Sequence, residues 1–199
     1  MLRTVYWFVN SMEQEAQELA RGLRRRDPDL LDRLIEQYHY RLLRYLLVLT
    51  SSQETAEDLF QETWMRVLEK GRQYSARWKF ETWLFAIARN LAIDLLRRRQ
   101  PLSLEALLEP GEDEAPIQVQ AADDATPFET AAQSEEARRI ASLLHRLPPA
   151  YREVLVLRFQ EDLDLNEIAA IVGTPLSTVK SRLYRGLDAL RRYMEGHPS

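Results

Sequence analysis

Apolar residues recur at three- and four-residue intervals along most of this chain, and no stretch sustains the period-two alternation of a half-buried strand. The run DLLDRLIEQYHYRLLRYLLVLT sets Leu31, Leu34, Ile35, Tyr38, Leu42, Tyr45, Leu46 and Leu49 on one stripe. The tetrad SSQE then reads as a capping box, Ser51 to Glu54, opening a second helix that runs to about Lys70 and stops at Gly71. A third helix, from about Phe80 to Arg99, turns Leu84, Ile87, Ala88, Leu91 and Leu95 inward, with Trp83 expected in the core.

The pattern lapses over residues 101–136, which hold four of the nine prolines and neither Lys nor Arg. Such a segment buries too little apolar surface to offset its ordering entropy, so it reads as a mobile linker. Beyond it, Ser134 is placed to cap a helix over about 135–146, and Pro148-Pro149 forces a break before the helix AYREVLVLRFQED. The stretch LNEIAAIVGTPLSTVKSRLYRGLDALRRYM follows: a short helix, a turn at Gly173 and a longer helix, the length pattern of a helix-turn-helix. Ala169 and Ala170 permit a close helix crossing, and Gly173 allows a positive φ. The expected fold class is all-α: two small helical domains, residues 1–100 and 135–199, joined by a flexible acidic linker over 101–134, the C-terminal domain a helix-turn-helix.

Charge sharpens this division. Basic residues number 17 against 14 acidic in residues 1–100, none against 10 in 101–136, and 10 against 7 in 137–199, so the net charge of −4 conceals two mildly basic blocks around an acidic one. The segment from Gly173 to Arg192 alone carries five basic residues and one acidic residue. With Ser177 as the N-cap, Val179, Leu183, Leu187, Leu190 and Met194 form the inner face of the last helix. Thr178, Ser181, Tyr184 and Arg185 look outward, and Lys180 and Arg182 lie on the flanks. Hydroxyls, an aromatic and a guanidinium at the N-terminal end of such a helix suit entry into a major groove, where flanking cations neutralise phosphates.

Several chemistries lose support. The chain has no cysteine, which removes disulfides and thiolate metal sites and fits a reducing compartment. His39, His145 and His197 are far apart in sequence, and no phosphate-binding glycine loop, nucleophile elbow or zinc-protease motif occurs, so neither an enzyme nor a metal or other cofactor is expected. The apolar run in MLRTVYWFVN is shorter than the about 7–15 residues of a signal-peptide core. Nothing approaches the about 18 apolar residues of a membrane span. A soluble, cytoplasmic protein without direct membrane insertion is expected.

Two separated blocks carry a resemblance. LPPAYREVLVLRFQEDLDLNEIAAIVGTPLSTVKSRLYRGLDALRR resembles the promoter-binding C-terminal domain of the sigma factors of bacterial RNA polymerase, in particular the small extracytoplasmic-function group. AEDLFQETWMRVLEK, followed by FETWLFAIARNLAIDLLRRR, resembles the N-terminal domain of the same group. The resemblance implies a sigma initiation factor, with core RNA polymerase, promoter DNA and an anti-sigma factor as partners. It implies that Thr178, Lys180, Ser181, Arg182, Tyr184 and Arg185 read the minus-thirty-five element, and that the loop RQYSARWK melts the minus-ten element. In that loop and the helix after it, Tyr74 or Trp78 would give an extruded base an aromatic platform and Asn90 a hydrogen bond. Arg77, Lys79, Arg89, Arg97, Arg98 and Arg99 would hold the DNA backbone. The polymerase clamp would meet Asp58, Gln61 and Glu62. The acidic linker would thread the polymerase's positively charged channels, its carboxylates mimicking phosphates. Two departures stand out: Tyr74-Ser75-Ala76 where many relatives have an aromatic followed by Arg-Gly, and Ser177 where a glycine is common. The alternatives are a stand-alone helix-turn-helix regulator, acting as a dimer, and a protein-interaction adaptor. Residues 1–12 lie outside the resemblance.

Overall fold

The structure, a computed structural model, describes residues 2–99 and 135–195, and every regular element among them is helical. The acidic linker, Ser134 and His197 lie outside the described residues. The N-terminal half comprises α1 (Leu2–Arg25), α2 (Pro28–Thr50), α3 (Gln53–Lys70) with a 3-10 turn at Gly71–Gln73, and α4 (Phe80–Arg99). The C-terminal half comprises α5 (Glu135–His145), α6 (Pro149–Leu155) continuing into a π turn at Val156–Gln160, α7 (Leu165–Val172) and α8 (Leu176–Met194).

The stripe expected in α2 is the core stripe: Leu31, Leu34, Tyr38, Leu42, Tyr45 and Leu46 are buried, and Ile35 and Leu49 are half-buried at its edges. The start of α3 is displaced by one residue from the expected capping box. Ser52 is the N-cap, accepting from the Thr55 amide at 3.3 Å, while Ser51 takes a left-handed conformation (φ 52°) that closes α2. In α4, Leu84, Ile87 and Ala88 are buried, and Leu91, Leu95 and Trp83 are partly so. Helix α1 extends over the N-terminal residues left outside the resemblance, and buries Ala20 and Leu23. Its end lies against the 3-10 turn so closely that a Cβ on Gly71 would stand 2.9 Å from the Leu23 carbonyl oxygen.

In the C-terminal half, buried Arg152 closes the turn between α5 and α6, donating to the carbonyls of His145 (2.6 Å) and Leu147 (3.0 Å). Burial pulls its pKa down to about 10, which leaves it charged at neutral pH. Helix α7 opens with a complete capping box between Asp164 and Glu167, and Gly173 ends it at φ 67°, the left-handed conformation expected there. Helix α8 begins two residues earlier than expected: Pro175 is the N-cap, so Ser177 is not. Its inner face also differs. Val179 and Leu183 are buried as expected, but Leu187 and Met194 are exposed, and Gly186 and Ala189 face inward instead. The reason is proximity, because a Cβ on Gly186 would lie 3.0 Å from the Leu155 side chain, so α8 approaches α6 too closely for a stripe of leucines.

The two halves do not stand apart. Buried apolar residues of both belong to one continuous cluster, with α4 packed on α7 and α2 on α6.

Candidate nucleic-acid interface

The helix-turn-helix delivers most of the expected outer face. Lys180, Ser181, Tyr184 and Arg185 are exposed, Tyr184 at 68%, and Thr178 is half-buried. Arg182 departs from the expectation: only 6% of it is exposed, because its side of α8 faces the N-terminal half.

The loop between the 3-10 turn and α4 sorts its aromatics. Tyr74 is buried, its ring 5.9 Å from that of Phe80 and 5.2 Å from that of Trp83, and its hydroxyl donates to the Trp78 carbonyl at 3.0 Å. This corrects the reading of Tyr74 as a base platform, since the ring is a core element that braces the loop. Trp78 is 41% exposed at the loop's outer end, and Asn90, Arg97 and Arg98 are exposed on α4. Arg77 is exposed as well, and Arg99 ends α4.

Arg89 and Lys79, expected on DNA phosphates, are instead paired within the chain. Arg89 is 7% exposed and forks onto Glu153 of α6 at 2.7 and 3.3 Å, and the Tyr45 hydroxyl donates to the same carboxylate at 2.8 Å. Burial opposes the charge of Arg89, but the carboxylate outweighs it and the guanidinium pKa rises. For Tyr45, burial and then the neighbouring carboxylate push the phenol well above its ordinary range. Lys79 meets Glu167 of α7 at 3.1 Å, and that hydrogen bond raises the ammonium pKa. Farther along, Glu161 receives Arg41 at 2.7 Å and Arg44 at 2.9 Å.

Sequence reasoning missed Glu153, Glu161 and Glu167. A signal existed for one of them: Glu153 stands three residues after Ala150 and four before Leu157, both buried, so a carboxylate interrupts an apolar stripe. The result is one cleft of about 800 Å³ between the halves, lined by Asn90 and Arg97 from one side and Thr178, Ser181, Arg182 and Arg185 from the other. Among the described residues no cluster of His, Asp or Glu is arranged to hold a metal ion, and no helix is long and apolar enough to cross a membrane.

On α3, Asp58 and Gln61 are exposed, and Glu62 is half-buried and pairs with Arg66 at 3.0 Å. This side of α3 points away from its contacts with α2 and α4.

The family model for Sigma-70 region 2 matches residues 34–101, and that for Sigma-70 region 4 matches residues 137–190. The chain is 33% identical to the ECF RNA polymerase sigma factor RpoE of Cereibacter sphaeroides over 88% of its length and 93% of that protein's. The chain belongs to the sigma-70 family. It is an extracytoplasmic-function (ECF) member, a promoter-specific initiation factor of RNA polymerase. It is also 38% identical to the ECF sigma factor SigE of Mycolicibacterium smegmatis over 84% of its length, spanning 63% of that relative, and 29% identical to SigW of Bacillus subtilis over 92% of its length and 98% of that protein. Among solved structures, CnrH in complex with the cytosolic domain of CnrY shares the fold (TM-score 0.61, 21% identity, covering 92% of this chain and 96% of that one). So does RpoE in complex with the anti-sigma factor NepR from Bartonella quintana (TM-score 0.62, 23% identity, 82% and 96%). The all-α reading and the family reading of the sequence therefore hold, and the stand-alone regulator is not favoured.

Proposed function

We propose that this sigma factor divides promoter recognition between its halves. Helix α8 enters the major groove of the minus-thirty-five element, with Ser181, Tyr184 and Arg185 at base edges and Thr178 and Lys180 on phosphates and the groove wall. The loop ending at Trp78, together with α4, opens the minus-ten element. Extruding a base costs a few kcal/mol of stacking. The indole of Trp78 repays part of that by stacking, Asn90 by hydrogen bonding to the base edge, and Arg97 and Arg98 by neutralising backbone. Asp58, Gln61 and Glu62 on α3 meet the polymerase clamp.

The observation that carries this reading is the exposure of one contiguous set, Lys180, Ser181, Tyr184 and Arg185, on a helix whose opposite side is buried. Tyr184, 68% exposed, thus shares one solvent-facing side of α8 with Lys180 and Arg185. RNA synthesis itself belongs to the polymerase, so the chain supplies no catalytic group and works in the compartment where that enzyme works. A protein antagonist of the anti-sigma class would hold it in reserve, as the complexes of its structural relatives suggest.

The test is promoter-dependent transcription by purified chain and core polymerase. A transcript that depends on both, lowered by charge reversal at Arg185, is expected. No transcript from any candidate promoter, with a palindromic footprint from the chain alone, would favour a stand-alone regulator. A transcript indifferent to Arg185 would favour an adaptor.

A further inference from the structure

The base of the melting loop carries more positive charge than the loop itself. Where α1 ends against the 3-10 turn, a Cβ on Gly71 would stand 2.9 Å from the Leu23 carbonyl oxygen, so the absence of a side chain is what lets the two segments touch. That contact brings the run Arg24-Arg25-Arg26 alongside Lys70 and Arg72, and all five are exposed. Among the described residues none of the five is paired with a carboxylate. The nearest acids in sequence are engaged elsewhere: Glu69 is held by Arg66 at 3.1 Å, and Asp27 caps α2 by accepting from the amides of Asp29 and Leu30.

Helix-end electrostatics explain part of this charge. Arg24 and Arg25 lie in the last turn of α1 and Lys70 in the last turn of α3, where cations offset the negative end of the helix dipole. Arg26 and Arg72 lie beyond those helices and are not explained that way. Arg26 is held against its own backbone preference, at φ 54°. Its amide donates to the Leu23 carbonyl at 3.2 Å and the Asp27 amide to the Gly22 carbonyl at 3.1 Å, which is the Schellman closure of a helix, with arginine at the position that glycine fills without strain. An exposed side chain kept at such a position at a cost to the fold points to a use for its charge. The patch is also continuous with the loop. Arg72 stands in the 3-10 turn from which the loop departs, and the loop's outer end bears exposed Arg77 and Trp78. Cations tracking a backbone beside an aromatic platform are the general layout of a single-strand site, and guanidinium groups fork onto phosphate oxygens.

We propose that the end of α1 and the 3-10 turn form a second, sequence-independent site for single-stranded DNA, in which Arg24, Arg25, Arg26, Lys70 and Arg72 hold phosphates of the non-template strand next to the base stacked on Trp78. The site keeps the freed strand from closing again and reads no base. It rests on the melting role proposed above for the loop.

The test is binding of the full chain, assembled with core polymerase, to a promoter fragment whose minus-ten region is already unpaired, over a range of salt. On single strands each phosphate contact contributes about 0.7 to the slope of log affinity against log salt, so R24Q/R25Q/R26G should reduce that slope by about 2. Affinity at about 0.15 M salt should fall on the order of tenfold, and the deficit should fade towards 1 M. K70Q/R72Q, on the other side of the Gly71 contact, should reduce the slope by about 1.4. Arg26→Gly alone should move two readouts in opposite directions. Relief of the left-handed strain should raise the thermal midpoint by about 2–4 °C, while the slope falls by about 0.7. Affinity for core polymerase, and for a duplex carrying only the minus-thirty-five element, should not change. An unchanged salt slope in R24Q/R25Q/R26G would overturn the inference. So would a loss of affinity for core polymerase in its place, which would assign the patch to a protein surface. Should Trp78→Ala weaken binding to the unpaired fragment while the arginine and lysine variants do not, this site alone falls. Should none of these variants weaken it, the melting role of the loop falls as well.

Discussion

Arg89 and Glu153 are 64 positions apart in sequence and meet at 2.7 Å, each side chain at most 8% exposed, with the Tyr45 hydroxyl 2.8 Å from the same carboxylate oxygen. A helix assigned to promoter opening is thus fastened to the scaffold beneath the helix assigned to the other promoter element. The contact joins α4, α2 and α6 at one point, and the phenol belongs to it as much as the ions do.

That phenol predicts an alkaline limit. Unfolded tyrosines ionise near pH 10, whereas burial holds Tyr45 neutral well above that, and burial with the Glu81 carboxylate raises Tyr38 to about 12. Above pH 10 the unfolded chain sheds protons that the folded chain keeps, so stability is fully present below pH 10 and falls as pH rises towards 12. Allowing for residual solvent screening, Tyr38 accounts for about 1–2 kcal/mol of the loss. Urea midpoints at pH 9, 10 and 11 should decline, and Tyr38→Phe should flatten the decline. A flat wild-type profile would refute the linkage.

Arg152 gives a prediction confined to the C-terminal half. Its guanidinium satisfies the carbonyls of His145 and Leu147 where α5 turns into α6. Arg152→Ala leaves both without that donor and opens a cavity, at a cost of about 2–4 kcal/mol. Arg152→Lys cannot form the fork and should recover less than half of the loss. Chemical denaturation of both variants would check this, and a lysine variant as stable as wild type would contradict it.

The stripes of α2 and α4 were legible because each helix buries one face continuously, and Leu31 to Leu46 needs no partner to be recognised as periodic. The helix-turn-helix was legible from Gly173 and its flanking lengths. By contrast, the inner face of α8 was misread at Leu187 and Met194, since what decides it is the close approach of Leu155 to Gly186, thirty-one residues away. Tyr74 was misread for a similar reason. The pattern shows an aromatic in a loop but not the ring of Trp83 that covers it. The carboxylates at 153, 161 and 167 look like ordinary surface charge until their partners, from 64 to 120 positions distant, are in view.

Gly173 offers a test of the turn alone. Its φ of 67° is unfavourable for any side chain bearing a Cβ, yet no atom lies within 4 Å of where that Cβ would be. Gly173→Ala should therefore cost only the backbone strain, about 1 kcal/mol, and Gly173→Asn less, because asparagine tolerates the left-handed region. Thermal melts would separate this from a steric origin, under which asparagine would be the worse of the two.

Arg185 is the residue whose loss should weaken the promoter complex without disturbing the fold. It is exposed on the outer face of α8. Arg185→Ala should cost about 1–3 kcal/mol in promoter binding and relax preference at one base pair, while binding of core polymerase is retained. Binding weakened equally on all sequences would assign Arg185 to phosphate instead.

Trp78 and Tyr74 separate a DNA-facing role from a bracing one. Trp78 is partly in solvent, so Trp78→Ala should change stability by less than about 1 kcal/mol. It should nevertheless impair melting of the minus-ten element more than formation of the closed complex, since stacking on one base is worth about 1–3 kcal/mol. Tyr74→Phe keeps the buried ring and deletes only the bond to the Trp78 carbonyl, which loosens the loop that presents the indole. It should lower melting by a smaller factor than Trp78→Ala, and combining the two should add little, because the brace acts only through the platform it holds. Permanganate reactivity of the non-template strand reads melting directly. Additive losses in the double variant would show that Tyr74 acts independently of Trp78.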